Sequence, residues 1–443
     1  MIRKVTTVAL LFIAALTQAQ EKKSFSLFEA QEYAIENAES VRNAQLDIEA
    51  SIEKVKETRA IGLPQVNVEG SFQNFLSLPV QVVDGAFIGQ PGTTVSFRAG
   101  TEYNVSGGVS ANQLIFDGSY IVGLQVSKLY KDFSVANAEV SKEEVLYNVT
   151  NAYQMALIAE ENLVFVDSLV DATQKLYDQQ KNYFEIGMMQ KEDLDQLEFS
   201  LLNAKTSHEN AKNQYKIAKD LLKMTMAYPI KDGIELTDNL DVLVGESFEL
   251  NAQDGDVLNN LSLQMLERQK NLNEYNVKNM KAANLPSLGA FFQQQYNAYR
   301  NEMNFFDSDK PYFGQTVWGV KLTIPIFSSG SRSAKTKQAM IEVQKVENQI
   351  QQYKRTLQFQ EQQLSNEFDN AKRMLTLQEK NVQLAKSIYE NALAKKEIGE
   401  GNSIVVSQKY SQLITAQTQY VSAMINVFNA RLELDKLYNK IVK

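Results

Sequence analysis

Apolar residues recur every three or four positions along two long stretches of this chain. In the first, Val149, Ala152, Ala156, Ala159, Leu163, Val166 and Val170 keep that step. In the second, Val346, Ile350, Tyr353, Leu357, Leu364, Phe368, Ala371, Leu375, Val382, Ala385, Tyr389 and Ala392 do nearly the same, with Gln360 and Gln378 interrupting the seam. Alternating steps of three and four keep one stripe of a helix turned toward a neighbouring helix. Both stretches therefore predict long helices packed on other helices.

Elsewhere the period changes to two. Val66, Val68, Gly70 and Phe72 alternate with Gln65, Asn67, Glu69, Ser71 and Gln73. A return strand is expected to carry Phe97, Ala99, Tyr103, Val105, Val109 and Ala111 on one face, within a first hairpin at about 64–116. A second hairpin at about 286–327 sets Leu288, Ala290, Phe292 and Tyr296 against Ser287, Gln293 and Gln295. Its return strand sets Trp318, Val320, Leu322 and Ile324 against Gln315, Lys321 and Thr323. Strands of this length, apolar on one face and polar on the other, fit an outer-membrane barrel. They also fit a soluble antiparallel sheet with one wet face.

Proline and glycine punctuate the chain into matching halves. None of the seven prolines falls in 119–227 or 331–443, and 124–186 and 331–398 contain neither proline nor glycine. Runs of that length rich in Ala, Leu, Gln, Glu and Lys predict helical rods of roughly 100 Å. Leu63-Pro64 recurs as Leu285-Pro286, just before each hairpin. Ile115-Phe116 followed by Gly118 recurs as Ile326-Phe327 followed by Gly330, and Glu185-Ile186-Gly187 recurs as Glu397-Ile398-Gly399. From the Ile-Phe pair onward the offset stays at 211 to 212 residues, the mark of an internal duplication. The expected organisation is a first repeat at 20–228, a linker at 229–256 and a second repeat at 257–443. Each repeat reads helix, β-hairpin, long helix, glycine turn, shorter helix.

Charge and composition then narrow the classes. Arg3 and Lys4, the apolar run Val8–Leu16 and Thr17-Gln18-Ala19 read as a secretory signal peptide at 1–19. No later stretch reaches the roughly 18 apolar residues of a transmembrane helix. With no Cys, one His and a net charge of −8, the chain holds no disulfide, thiol nucleophile or lipid-anchored Cys. The acidic balance argues against nucleic-acid binding. His208 lies in a polar helical stretch and is expected to be a solvated surface residue. No paired carboxylates and no phosphate-binding loop stand out, so no catalytic residue, metal or cofactor is expected. Four half-apolar strands per chain are too few to close a barrel, since the smallest have about eight. Open strand edges cannot be left in lipid, so a barrel requires several copies.

The chain resembles the TolC-like outer-membrane efflux proteins. The resemblance is carried by Leu27-Phe-Glu-Ala30 with Ala34 and Asn37, the two Leu-Pro junctions and the two Ile-Phe…Gly strand exits. The helix turns add Gly187…Asp193-Leu194…Ala204 and Gly399…Gln408…Ala416. It implies a mainly α fold with a membrane β-barrel portion: a homotrimer with a shared twelve-stranded barrel in the outer membrane and an α-helical tunnel across the periplasm. It also implies docking onto a periplasmic adaptor and an inner-membrane pump, as the exit duct of an efflux or type I secretion system. Under that resemblance Gly187, Gly399 and Gly401 mark the periplasmic tip turns. Phe72, Phe97, Tyr103, Phe292, Tyr296, Trp318, Leu322 and Ile324 would face outer-membrane lipid. Acidic residues after the second-repeat turn narrow the entrance in such proteins, but here the matching position is Val405 and the next candidate is Gln408. Asp193, Asp195 and Glu400 remain as candidate gate residues. Asp193 and Asp195 read equally well as charges complementing a helix N-terminus. The competing reading is a structural periplasmic coiled-coil or adaptor protein with soluble β-hairpins, although an adaptor predicts a lipoyl-like domain that the sequence lacks.

Overall fold

The computed structural model describes residues 23–89, 91–249 and 255–441. The signal segment expected at 1–19 lies outside them. The first repeat opens with β1 (Lys23–Phe25), α1 (Leu27–Asn37) and α2 (Glu39–Ala60), followed by β2 (Gln65–Asn74), β3 (Val80–Asp84), β4 (Thr94–Arg98) and β5 (Tyr103–Phe116). It ends with α3 (Gly118–Glu185) and α4 (Lys191–Thr225). The connecting segment forms β6 (Ile234–Leu236) and α5 (Leu240–Glu249). The second repeat comprises α6 (Leu261–Ala282), β7 (Ser287–Arg300), β8 (Phe313–Thr323), α7 (Ser331–Glu397) and α8 (Ser403–Leu437). Helix lengths repeat with the sequence: 68 and 67 residues for α3 and α7, 35 for both α4 and α8, and 22 for both α2 and α6.

The chain divides into two compact units. The helical unit is built from residues up to Ile48, Ser134–Glu267 and Asn348 onward. Its apolar seams meet between repeats: Leu169 and Leu176 of α3, Leu197 and Ala204 of α4, Tyr389 of α7, and Val406, Tyr410 and Leu413 of α8 form one buried cluster. Each fully buried leucine there stabilises the fold by about 1.5–3 kcal/mol. Hydrogen bonds tie the rods side by side, with Tyr215 donating to Glu160 at 2.7 Å and Tyr438 to Glu361 at 3.0 Å. The connecting segment is not a loose tether. β6 pairs in parallel with β1, and buried Phe25 packs edge-on against Tyr33 and Tyr228.

All four long helices at the turns end alike. The Gly187 amide donates to Phe184 and the Met188 amide to Tyr183, while Gly399 and Glu400 repeat this pattern onto Lys396 and Lys395. These paired bonds satisfy the last helical carbonyls and require a left-handed residue, here Gly187 at φ +78° and Gly399 at φ +82°. α4 and α8 finish with the same bonds, Tyr228 onto Lys223 and Lys440 onto Asp435, but Ala227 and Asn439 occupy the left-handed position.

The second unit, Glu49–Phe133 with Arg268–Glu347, holds the strands. β2, β5, β7 and β8 form one four-stranded antiparallel sheet in that order. The two hairpins are thus joined through β5 and β7, leaving β2 and β8 as the edges. The first hairpin departs from expectation. Its return strand does not run continuously from Phe97: β4 pairs with β3 in a separate two-stranded sheet, placing Phe97 opposite Gln81. The break comes at Gly100, whose φ of +118° turns the chain before β5 begins at Tyr103. Ile324, expected on the last strand, falls one residue beyond β8.

Candidate functional site: the sheet faces and the helix turns

Strand register sorts the side chains of the four-stranded sheet onto two faces. Phe72 pairs with Val105 and Val105 with Ala298; Ala111 pairs with Phe292 and Phe292 with Trp318. Because directly paired residues share a face, Val66, Val68, Phe72, Tyr103, Val105, Val109, Phe292, Tyr296, Trp318, Val320 and Leu322 all lie on one side. Trp318 is 79% exposed and Val68 78%, so within a single chain this side is a broad uncovered apolar surface. Patches of that kind on a folded chain mark contact with another chain or with lipid. On this face the Tyr296 ring rests over Gly314.

The opposite face is lined mainly with amides and hydroxyls, with Phe291, Tyr299, Phe313 and Val317 among them. Ser71 and Ser106 share a hydrogen bond of 2.7 Å, and Gln293, Gln295 and Asn297 form a ladder of amide bonds along β7 at 3.2 and 2.9 Å. Such a surface hydrates readily and offers no concentrated charge. Only Glu69 and Lys321 carry charge among the residues the register places on it.

The helix turns present a different surface. Ile186, Met188 and Ile398 are exposed around Gly187 and Gly399. Gly401 is held by space: a Cβ there would come within 2.7 Å of the Lys396 amide nitrogen. Asn402 accepts from the Ile404 amide at 2.8 Å and starts α8, whereas Gln190 starts α4 without a side-chain cap. Of the three acids singled out in the sequence, Asp195 and Glu400 are exposed. Asp193 instead lies 3.7 Å from the ammonium of Lys396, whose side chain is only 8% exposed. This pair bridges the first turn of α4 and the last turn of α7, one from each repeat. Lys396 was not singled out in the sequence, yet it stands one heptad beyond buried Tyr389 and so falls on the packed seam. Behind the turns, Thr173 and Tyr389 share a hydrogen bond of 3.0 Å, and burial pushes the phenols of Tyr389 and Tyr410 above their ordinary range.

His208 also differs from expectation. It is partly covered, with Nε2 3.3 Å from Asp167 on α3, because the packing of α4 on α3 brings the two together. Among the described residues no group of three or more His, Asp or Glu side chains is arranged to hold a metal ion, and no helix is long and apolar enough to cross a membrane.

Comparison with known proteins agrees with this architecture. The chain is similar in fold to the CmeC outer membrane channel of Campylobacter jejuni, with a TM-score of 0.69 and 16% identity over 94% of this chain and 85% of that one. It is similar to the MtrE outer membrane channel of Neisseria gonorrhoeae in its open state, with a TM-score of 0.67 and 17% identity over 94% and 89%. For the outer membrane protein VceC of Vibrio cholerae the TM-score is 0.65, with 13% identity over 93% and 95%. No curated protein matches by sequence. The profile of the family described as outer membrane efflux protein matches residues 31–226 and 257–440, one stretch for each repeat. With both repeats matched, the chain belongs to the outer membrane efflux protein family.

Proposed function

We propose that three copies of this chain form a passive exit duct, which docks onto a periplasmic adaptor and an inner-membrane pump to move solutes out of the cell in one step. The observation that carries this reading is the four-stranded sheet, with a mainly apolar face interrupted by Gln294, Arg300 and Thr316, a mainly polar face and two open edges. Open edges are intolerable in lipid, and four strands cannot close on themselves. Three copies supply twelve strands, enough to surround a water-filled lumen with the amide-rich face inside. The long helices form the periplasmic part of the duct. The exposed turns at Gly187, Gly399 and Gly401 form the tip that receives the adaptor. The test is membrane fractionation followed by electrophoresis with and without boiling. An outer-membrane protein that migrates as a trimer unless boiled is the expected result. Recovery as a soluble monomer sinks the proposal.

The gate reading of the acids has its own test. Asp193→Asn removes the countercharge from buried Lys396 and loosens the tie between α4 and α7. In planar bilayers its expected effect is a higher resting single-channel conductance than wild type. Asp195→Asn, a change at an exposed carboxylate, is expected to leave resting conductance alone and weaken block by divalent cations. Unchanged conductance and unchanged block in the double variant remove both residues from the gate.

A further inference from the structure

The two charged residues on the sheet's polar face sit on its two open edges, Glu69 on β2 and Lys321 on β8. Neither has an ion-pair partner among the described residues. Because β2 and β8 run in opposite directions, β8 of one copy can pair with β2 of the next in the antiparallel sense that the rest of the sheet already follows. We propose that Glu69 and Lys321 meet across this seam and fix the register in which neighbouring copies join. The inference rests on the reading of the chain as a barrel-forming duct, and adds to it which residues meet at the joint.

Three constraints select the register. First, the apolar faces must be continuous, and a slip of one residue would turn every side chain of β2 to the wrong side. Odd-numbered residues face the polar side on both edge strands, so odd positions must meet odd positions. Second, within the sheet Gln65 lines up with Asn112, Phe291 and Gly319, so β8 runs on past the level where β2 begins. That stagger sets the direction of shear around the barrel.

Third, the strand tilt must fall near 35–45°. Pairing all of β2 with β8 sets Gln65 against Thr323, Val66 against Leu322 and Asn67 against Lys321. Shear per strand then matches that of an eight-stranded barrel of shear eight, which gives a tilt of about 36°. Glu69 lies diagonally across from Lys321 and faces Gly319, over which the Phe291 ring already rests. On the lipid side Trp318 meets Gly70, the same aromatic-over-glycine fit that Tyr296 makes with Gly314 inside the chain. The next allowed register tilts the strands to about 45° from the ordinary strand spacings and sets Glu69 directly opposite Lys321. Further slips in either direction leave the allowed tilt. Both surviving registers bring the charges together, since diagonal neighbours on one face lie within about 7–8 Å, a span long side chains reach.

The test is a charge exchange read by heat-dissociation of the unboiled oligomer from outer membranes. Glu69→Lys and Lys321→Glu each place like charges at all the seams, and each is expected to lose most of the oligomer at a temperature where wild type keeps it. The double exchange, Glu69→Lys with Lys321→Glu, is expected to restore the wild-type temperature. The chain has no cysteine, so paired cysteines report the seam even where the charge variants assemble poorly. Asn67→Cys with Lys321→Cys, or Glu69→Cys with Lys321→Cys, is expected to give covalent oligomers on oxidation, as directly opposed strand residues lie within disulfide range. An oligomeric wild type with no rescue and no covalent oligomer overturns the seam pairing while leaving the duct reading intact. A wild type that never forms an outer-membrane oligomer overturns both.

Discussion

Val109→Arg is expected to eliminate the assembled oligomer from the outer membrane, whereas Ser110→Arg, one residue along the same strand, leaves it in place. Both residues lie near the middle of β5, an interior strand paired on both sides, so neither change touches a seam between copies. Val109 pairs with Val68 and Gln294 on the mainly apolar face; Ser110 pairs with Asn67 and Gln293 on the amide-lined face. Arginine at the membrane midplane costs about 2–4 kcal/mol on a lipid-facing strand position. Three copies multiply this to roughly 6–12 kcal/mol per assembly, comparable to the whole stability of an ordinary domain. On the lumen side the same guanidinium stays in water and costs little. The measurement is the amount of heat-dissociable oligomer in the outer-membrane fraction for each variant. Equal behaviour of the two variants would mean that the two faces do not separate lipid from water.

That contrast is legible in the sequence, because alternation with a period of two assigns each strand residue to a face. The order of the strands is not. Sequence periodicity identifies two hairpins, while the pairing of β5 with β7 joins the repeats through contacts nearly two hundred residues apart, which no local pattern encodes. Phe97 shows a related limit: its parity matched the return strand, but the positive φ at Gly100 breaks the chain between it and Tyr103. Glycine spacing also located the turns at Gly187 and Gly399 but not the equivalent ends of α4 and α8. There Ala227 and Asn439 adopt the left-handed conformation without the residue that normally announces it. Asp193 was visible as an acid near a turn. Its pairing with Lys396 depends on how two helices from different repeats lie against each other, although the heptad step from Tyr389 placed that lysine on the seam.

The sharpest case is the adjacent pair Gly107 and Gly108, which read identically in the sequence. Gly107→Val is expected to be tolerated and Gly108→Val to be among the most damaging single changes in the sheet. A Cβ at Gly107 meets nothing within 4 Å and points to the apolar side, where a valine adds lipid-facing surface and suits a strand. A Cβ at Gly108 would fall 2.5 Å from the Gln294 carbonyl oxygen and 3.0 Å from the Gln295 Cα. Both are backbone atoms of β7, so no rotamer change relieves the clash, and the β5–β7 pairing must open. Overpacking of this kind costs about 1–3 kcal/mol or more per chain. β5 and β7 are also the strands that join the two repeats into one sheet. Opening them separates the hairpins and exposes two further edges to lipid, so the damage is expected to appear as lost assembly as well as a lower Tm. Thermal melting of the purified oligomer compares the two variants directly. Equal melting temperatures would show that β5 and β7 do not approach each other closely at Gly108.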